Sequence, residues 1–115
     1  MEHVMGLFDS PFQSIKGGRK TVEVRLNDKK RRKINIGDRI NFVKVPEQSE
    51  TLSVKVLELR VFPTFKEMYE SIPADKFDTV GDTMEKMLSE TYEVYTPERE
   101  KRWGTLAITI ELLDN

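Results

Sequence analysis

The 115 residues contain no cysteine. Disulfides, thiolate nucleophiles and zinc–thiolate sites are therefore excluded, and the composition suits a reducing cytoplasm. Histidine is almost as scarce. His3 is the only one, so neither a histidine-built metal site nor a histidine-dependent triad is expected. No apolar run approaches the roughly 20 residues of a membrane-spanning helix. Glu2 and His3 stand where a signal peptide would carry a basic stretch ahead of an apolar segment, so no secretory leader is expected. The glycines form neither a Walker-type nor a dinucleotide-binding loop. The expectation is a cytoplasmic protein with no membrane partner, no metal and no organic cofactor.

What the chain has in abundance is charge. Charged residues make up 34% and apolar residues 37%, which suits a single domain over 1–115 with a modest core. The net charge of −1 conceals a split. Residues 16–44 hold eleven Lys and Arg against three acids, Glu23, Asp28 and Asp38; the remainder holds eight bases against seventeen acids. One basic surface on an otherwise acidic molecule suits a local anionic partner.

Element signals follow in order. Ser10-Pro11 reads as an N-cap and first helical residue, with Phe12, Ile15 and, as a further candidate, Phe8 on the apolar side and Gly17-Gly18 as the stop. Lys20 to Leu26 reads as a strand, and Asn27-Asp28 as a turn. Arg39 to Val45 and Leu52 to Val61 alternate as strands around a polar loop at 46–50. Thr64 and Glu67 form a capping box ahead of a helix with Phe65, Met68, Tyr69 and Ile72 on one face. Residues 73–82 read as a loop that can hold a short turn of helix. A second amphipathic helix runs from Thr83 to about Glu93, with Met84, Met87 and Leu88 inward. Thr96-Pro97 starts another that Gly104 ends. Thr105 to Leu113 is the clearest strand, with Leu106, Ile108, Ile110 and Leu112 alternating. A helix, several strands, a helical insert and a closing strand together predict an α+β fold, a small mixed β-barrel with flanking helices.

One stretch, 15–25, organises the rest. In an extended strand Val22, Val24 and Leu26 face one way, into a core, and Thr21, Glu23 and Arg25 the other. Lys20 stands at the strand entrance behind two glycines that permit a sharp turn. The plainest reading is a solvated face with a cross-strand salt bridge, Glu23 to Arg25 or Arg39, and a solvated basic loop at Lys29-Lys30-Arg31-Arg32-Lys33. The alternative is a cleft in which cations, a carboxylate and a hydroxyl converge.

The run Pro11-Phe12, then Ile15 through Asp28, followed by Arg31-Arg32 and Gly37 to Phe42, resembles the signature of the ASCH domain family. Its core is G-x-K-x-x-E-x-R, here Gly18, Lys20, Glu23 and Arg25. Tyr95-Thr96-Pro97-Glu98 and Trp103-Gly104 to Ile110 resemble the family's second half, so the likeness covers nearly the whole chain. It implies a PUA-like fold with a cleft beside the signature strand, and association with RNA in translation or RNA metabolism. Some small members are amidohydrolases that deacylate N4-acetylcytidine with the signature lysine, here Lys20, and a threonine nucleophile. Glu23 holds that threonine's position in this chain, and Thr21 lies on the same strand face one step earlier. A later glutamate also takes part in those enzymes; Glu90, Glu93 and Glu98 are the candidates.

The expected site therefore comprises Arg19, Lys20, Thr21, Glu23, Arg25, Arg31, Arg32 and Tyr95, and its expected partner is RNA or a modified nucleotide or nucleoside. Lys20, Arg25, Arg31 and Arg32 would contact phosphates. Glu23 would accept from an exocyclic amine or a ribose hydroxyl. Tyr95 or Trp103 would stack on a base, although a single Trp ahead of a core strand is more simply packing. In the hydrolase alternative Lys20 and Glu23 are catalytic: Glu23 activates water and Lys20 or Arg25 stabilises the oxyanion.

Overall fold

The alternating apolar residues of the strand segments become the inner face of one curled sheet. In the computed structural model, which describes residues 1–113, β1 (Glu2–Leu7), α1 (Asp9–Lys16), β2 (Val22–Leu26), β3 (Arg39–Lys44), β4 (Thr51–Phe62), α2 (Phe65–Ser71), α3 (Met84–Val94), α4 (Pro97–Trp103) and β5 (Thr105–Leu112) follow in chain order. The strands order as β1-β3-β4-β5-β2; β1 runs parallel to β3 and the other neighbours are antiparallel. The result is a mixed α+β half-barrel with four helices, as expected of a PUA-like domain.

Two apolar clusters lie on opposite sides of this sheet. Inside the curl, Met5, Phe12, Ile15, Ile40, Phe42, Val54, Val56 and Ile108 pack together. Outside it, α2 and α3 cover β2 and β5 through Val22, Leu26, Phe65, Met68, Met87 and Ala107. Strand β5 is therefore buried on both faces over most of its length, and its outward Ala107 is core rather than surface. Its last alternating residue, Leu112, lies beyond this cover and is exposed.

Several local signals act as their chemistry requires. The Thr64, Thr83 and Thr96 hydroxyls accept from the main-chain N–H of Glu67, Lys86 and Arg99, capping α2, α3 and α4. Gly104 ends α4 at φ +72°, and a Cβ there would meet the Phe62 carbonyl. The N-terminal region differs from expectation. Strand β1 carries little strand signal; only Met5 and Leu7 turn inward, and its pairing with β3 holds it. Helix α1 begins earlier, behind Phe8, which offers no side-chain cap, so Ser10 is not the N-cap and Pro11 sits inside the first turn. His3 is structural: its Nε2 lies 2.8 Å from Asp38 Oδ2, which also accepts from the Asn35 N–H at 2.9 Å. These bonds, His3 first, hold the Asp38 carboxyl down at about 2.

Candidate functional site

Both faces of β2 are buried, which overturns the reading of a solvated strand face. Val22 and Leu26 enter the outer cluster. Glu23 and Arg25 lie opposite Ile108 and Leu106 of β5, facing the inside of the curl, and are only 3% and 8% exposed. A buried charge must be paired, and these are. Glu23 Oε1 lies 3.0 Å from Lys20 Nζ, and Glu23 Oε2 lies 2.7 Å from an Arg25 terminal nitrogen. The same guanidinium donates from Nε to Glu23 at 2.9 Å and from Nη2 to the Gly6 carbonyl at 2.9 Å. Gly6 belongs to β1 and Arg25 to β2, the two edges of the sheet. One side chain thus bridges the gap that the sheet leaves open.

Burial alone would push the Glu23 carboxyl up. The charges of Lys20 and Arg25, with their hydrogen bonds, outweigh it and hold the group at about 2. Burial opposes the charge on Arg25 as well, but the Glu23 carboxylate prevails and its pKa is raised. The floor of the site is therefore a carboxylate fixed in its ionised form between two cations.

A cleft of about 590 Å³ opens over this floor. Lys20, Glu23, Val24 and Arg25 form its base; Gly6, Leu7, Phe8 and Pro11 form one wall; Tyr69, Met87, Thr91 and Tyr95 form the opposite wall. Burial pushes the Tyr69 hydroxyl up to about 12 and raises Tyr95 too, so both remain neutral. Tyr69 lies 2.7 Å from the Thr91 hydroxyl, which itself donates to the Met87 carbonyl. Acidic residues Asp78, Asp82 and Glu90 stand around the rim with Lys86, which pairs with Asp82. Among the described residues, no three of His, Cys, Asp and Glu come together as a metal site would require.

The expected site residues divide in space. Lys20, Glu23, Arg25 and Tyr95 come together in the cleft. Arg19 stands at its rim, donating to Asp78 at 3.3 Å. Thr21 lies elsewhere, in a smaller cavity with Glu58, Arg60 and Thr109. Arg31 is paired with Asp28, while Arg32 donates to the Asn27 carbonyl and stacks on Trp103; neither lines the cleft. Arg102 also lies over the Trp103 ring, so two guanidinium groups pack on that indole. Tyr95 stacks on Phe65 with ring centroids 5.6 Å apart. Of the three later glutamates, Glu90 alone lines the cleft. Arg39 reaches Asn41 and Ser53, leaving Glu23 to Arg25.

Two residues of consequence stand where the linear pattern does not place them, Phe8 off the buried side of α1 and Glu100 off the solvated face of α4. Phe8 lies at the cleft mouth and is 61% exposed. Glu100 is buried, accepting from the Phe65 N–H and the Tyr92 hydroxyl, and so ties α4 to the start of α2. An E-R-E-K run looks like any solvated helix; only the tertiary fold turns Glu100 inward.

The comparisons with known proteins agree with this architecture. The profile of the ASCH domain family matches residues 5–114. The crystal structure of hypothetical protein PH0355 superposes with a TM-score of 0.87 at 37% identity, covering 98% of this chain and 100% of that one. A Pyrococcus furiosus protein solved by solution NMR gives 0.79 at 36% identity, with full coverage of both chains. The ASCH protein of Zymomonas mobilis shares the fold, with a TM-score of 0.63 at 13% identity over 96% of this chain and 66% of its own. Among curated proteins there is no match. The profile covers nearly the whole sequence and the solved relatives share the half-barrel, so the chain belongs to the ASCH domain family.

Proposed function

We propose that this protein binds single-stranded RNA by seating one nucleotide, plain or modified, in the cleft at the open seam of the sheet. The observation that carries this reading is the cleft floor: Glu23 held ionised between Lys20 and Arg25 in a cavity of about 590 Å³. A cavity of this size suits a nucleoside and not a duplex. Lys20 retains ammonium donors beyond its bond to Glu23 and takes the phosphate or a ribose hydroxyl. Both Glu23 oxygens are already paired, so Glu23 serves chiefly to hold the two cations in place. The exposed lysines of the 29–33 loop add non-specific attraction for the flanking backbone. Such a domain would act in RNA metabolism or translation-linked regulation.

Binding ranks above amide hydrolysis because the floor presents a paired carboxylate where the amidohydrolases place a threonine. Glu23 holds the threonine's position, and the cleft threonines Thr79 and Thr91 donate their hydroxyls to the Ala74 and Met87 carbonyls. The test is a fluorescence titration of a short single-stranded RNA at low and physiological salt, with cytidine and N4-acetylcytidine as competitors. Saturable, salt-weakened binding that the nucleosides displace supports the reading. No binding overturns it, and release of acetate from N4-acetylcytidine would replace it with the hydrolase.

A further inference from the structure

Residues that face opposite ways on β2 line the same cleft. Glu23 and Arg25 point to the inside of the curl, and Val24 packs against the helix-covered cluster, yet all three border the cavity. A cavity lying on one face of a strand would meet only one of these sets. The cleft therefore runs along the open edge of β2, the last strand of the sheet.

The register tells which main-chain groups stand on that edge. The Ile110 N–H donates to the Thr21 carbonyl, and the Asn27 N–H to the Gly104 carbonyl. Residues 21, 23, 25 and 27 thus bond to β5, and in an antiparallel pair the residues between them turn their N–H and C=O the other way. Those residues are Val22, Val24 and Leu26. Val22 and Leu26 are 4% and 1% exposed, whereas Val24 is half-buried and borders the cleft. By that register the main-chain N–H and C=O of Val24 turn away from β5, and among the described residues they make no bond to a loop, turn or cap. An adding peptide strand would need several such residues in the open. Here one residue is open, which suits a single flat group offering an adjacent acceptor and donor. The Phe8 ring lines the same cleft, exposed and, among the described residues, in no aromatic pair, whereas Tyr95 and Trp103 are already stacked.

We propose that this one-residue edge reads the base of the bound nucleotide, with the Val24 N–H donating to a base acceptor, the Val24 carbonyl accepting from the neighbouring base N–H, and the Phe8 ring stacking on the base. Uracil, cytosine and adenine each present such a pair. Specificity then comes from the main chain of the seam, not from the charged floor. The inference rests on the cleft being the nucleotide site, and the experiment separates the two.

Isothermal titration of the intact chain with uridine 5′-monophosphate, 3-methyluridine 5′-monophosphate and ribose 5-phosphate provides the test. Methylation at N3 removes the donor meant for the Val24 carbonyl and should weaken binding about tenfold, the cost of one buried unpaired group. Phe8→Ala should weaken uridine monophosphate by about tenfold or more and leave ribose 5-phosphate unchanged. In a 15N-labelled sample the Val24 amide should shift downfield with uridine monophosphate and stay unmoved with ribose 5-phosphate. Equal affinity for the methylated and plain nucleotides, or a Val24 amide that does not respond, overturns the base-reading edge while the cleft remains a nucleotide site. Binding of none of the three at millimolar concentration overturns both.

Discussion

Two basic regions stand close together in the sequence and behave in opposite ways in the molecule. In the Lys20–Glu23–Arg25 group the carboxylate and guanidinium are buried and Lys20 is half-buried; all three are mutually paired, and Arg25 is locked to β1 through Gly6. The 29–33 run carries more positive charge but lies in an exposed short helical turn, where Arg31 and Arg32 turn back on Asp28, Asn27 and Trp103. Charge density therefore does not find the site. A cation in water is already solvated and costs nothing to leave there; a cation removed from water must have a fixed partner. The buried group has a set geometry before any ligand arrives, and that order is what the proposed one-pose binding of a nucleotide would use. The loop offers attraction without geometry.

The comparison breaks most sharply at Glu23. Glu23→Gln removes the carboxylate that pairs buried Arg25 and half-buried Lys20, and it should destabilise the fold by about 3–5 kcal/mol. Thermal denaturation followed by circular dichroism should show the midpoint falling by about 10 °C or more; an unchanged midpoint would mean that the floor is solvated after all. Acid should act through the same group. The Glu23 carboxyl lies at about 2 when folded and near 4.5 when free. Its stabilisation is thus complete above about pH 4.5 and is lost as the pH falls toward 2. Asp38, lowered from 3.8 to about 2, adds in the same direction. Urea titrations at pH 6, 4 and 2.5 should show stability falling in that window, with a shallower fall in Glu23→Gln.

Lys20→Ala sharpens the functional side. Glu23 keeps Arg25, so the loss of stability should be about 1 kcal/mol, while affinity for a mononucleotide should fall by tenfold or more in the same titration. Retained affinity would place the phosphate elsewhere. The smallest effect belongs to the loop. Replacing Lys29, Lys30 and Lys33 together by alanine should change stability by less than about 0.5 kcal/mol. It should leave mononucleotide affinity alone and flatten only the salt dependence of RNA binding. The slope of log affinity against log salt should fall by at most about one for each phosphate no longer neutralised.

How much of this is legible depends on how local the cause is. The Thr64 and Thr96 caps, the Gly104 stop and the alternation of β3, β4 and β5 each depend on residues within a turn or a few positions of one another, and each stands where the pattern places it. The ASCH signature locates the strand that carries Lys20, Glu23 and Arg25. It cannot show that their face of β2 is buried, because a K-x-x-E-x-R run has the same alternation on an edge in water. Strand β1 escapes the pattern because half of its residues are polar or small and its partner lies over thirty residues away. Thr21 and Arg25 share an alternation phase but border different cavities, since Thr21 lies ahead of the regular strand.

The linear chain alone specifies the family, the α+β class, most element boundaries and the identity of the charged strand, all of which follow from short-range spacing and turn chemistry. Folding in three dimensions was needed to make β1 and β2 the two edges of a half-barrel, to stretch Arg25 across the gap between them, and to bring Phe8 and Val24 together in the resulting cleft. These are long-range juxtapositions. They arise from how a twisted sheet curls around its core and where it fails to close, and no local pattern encodes that distance.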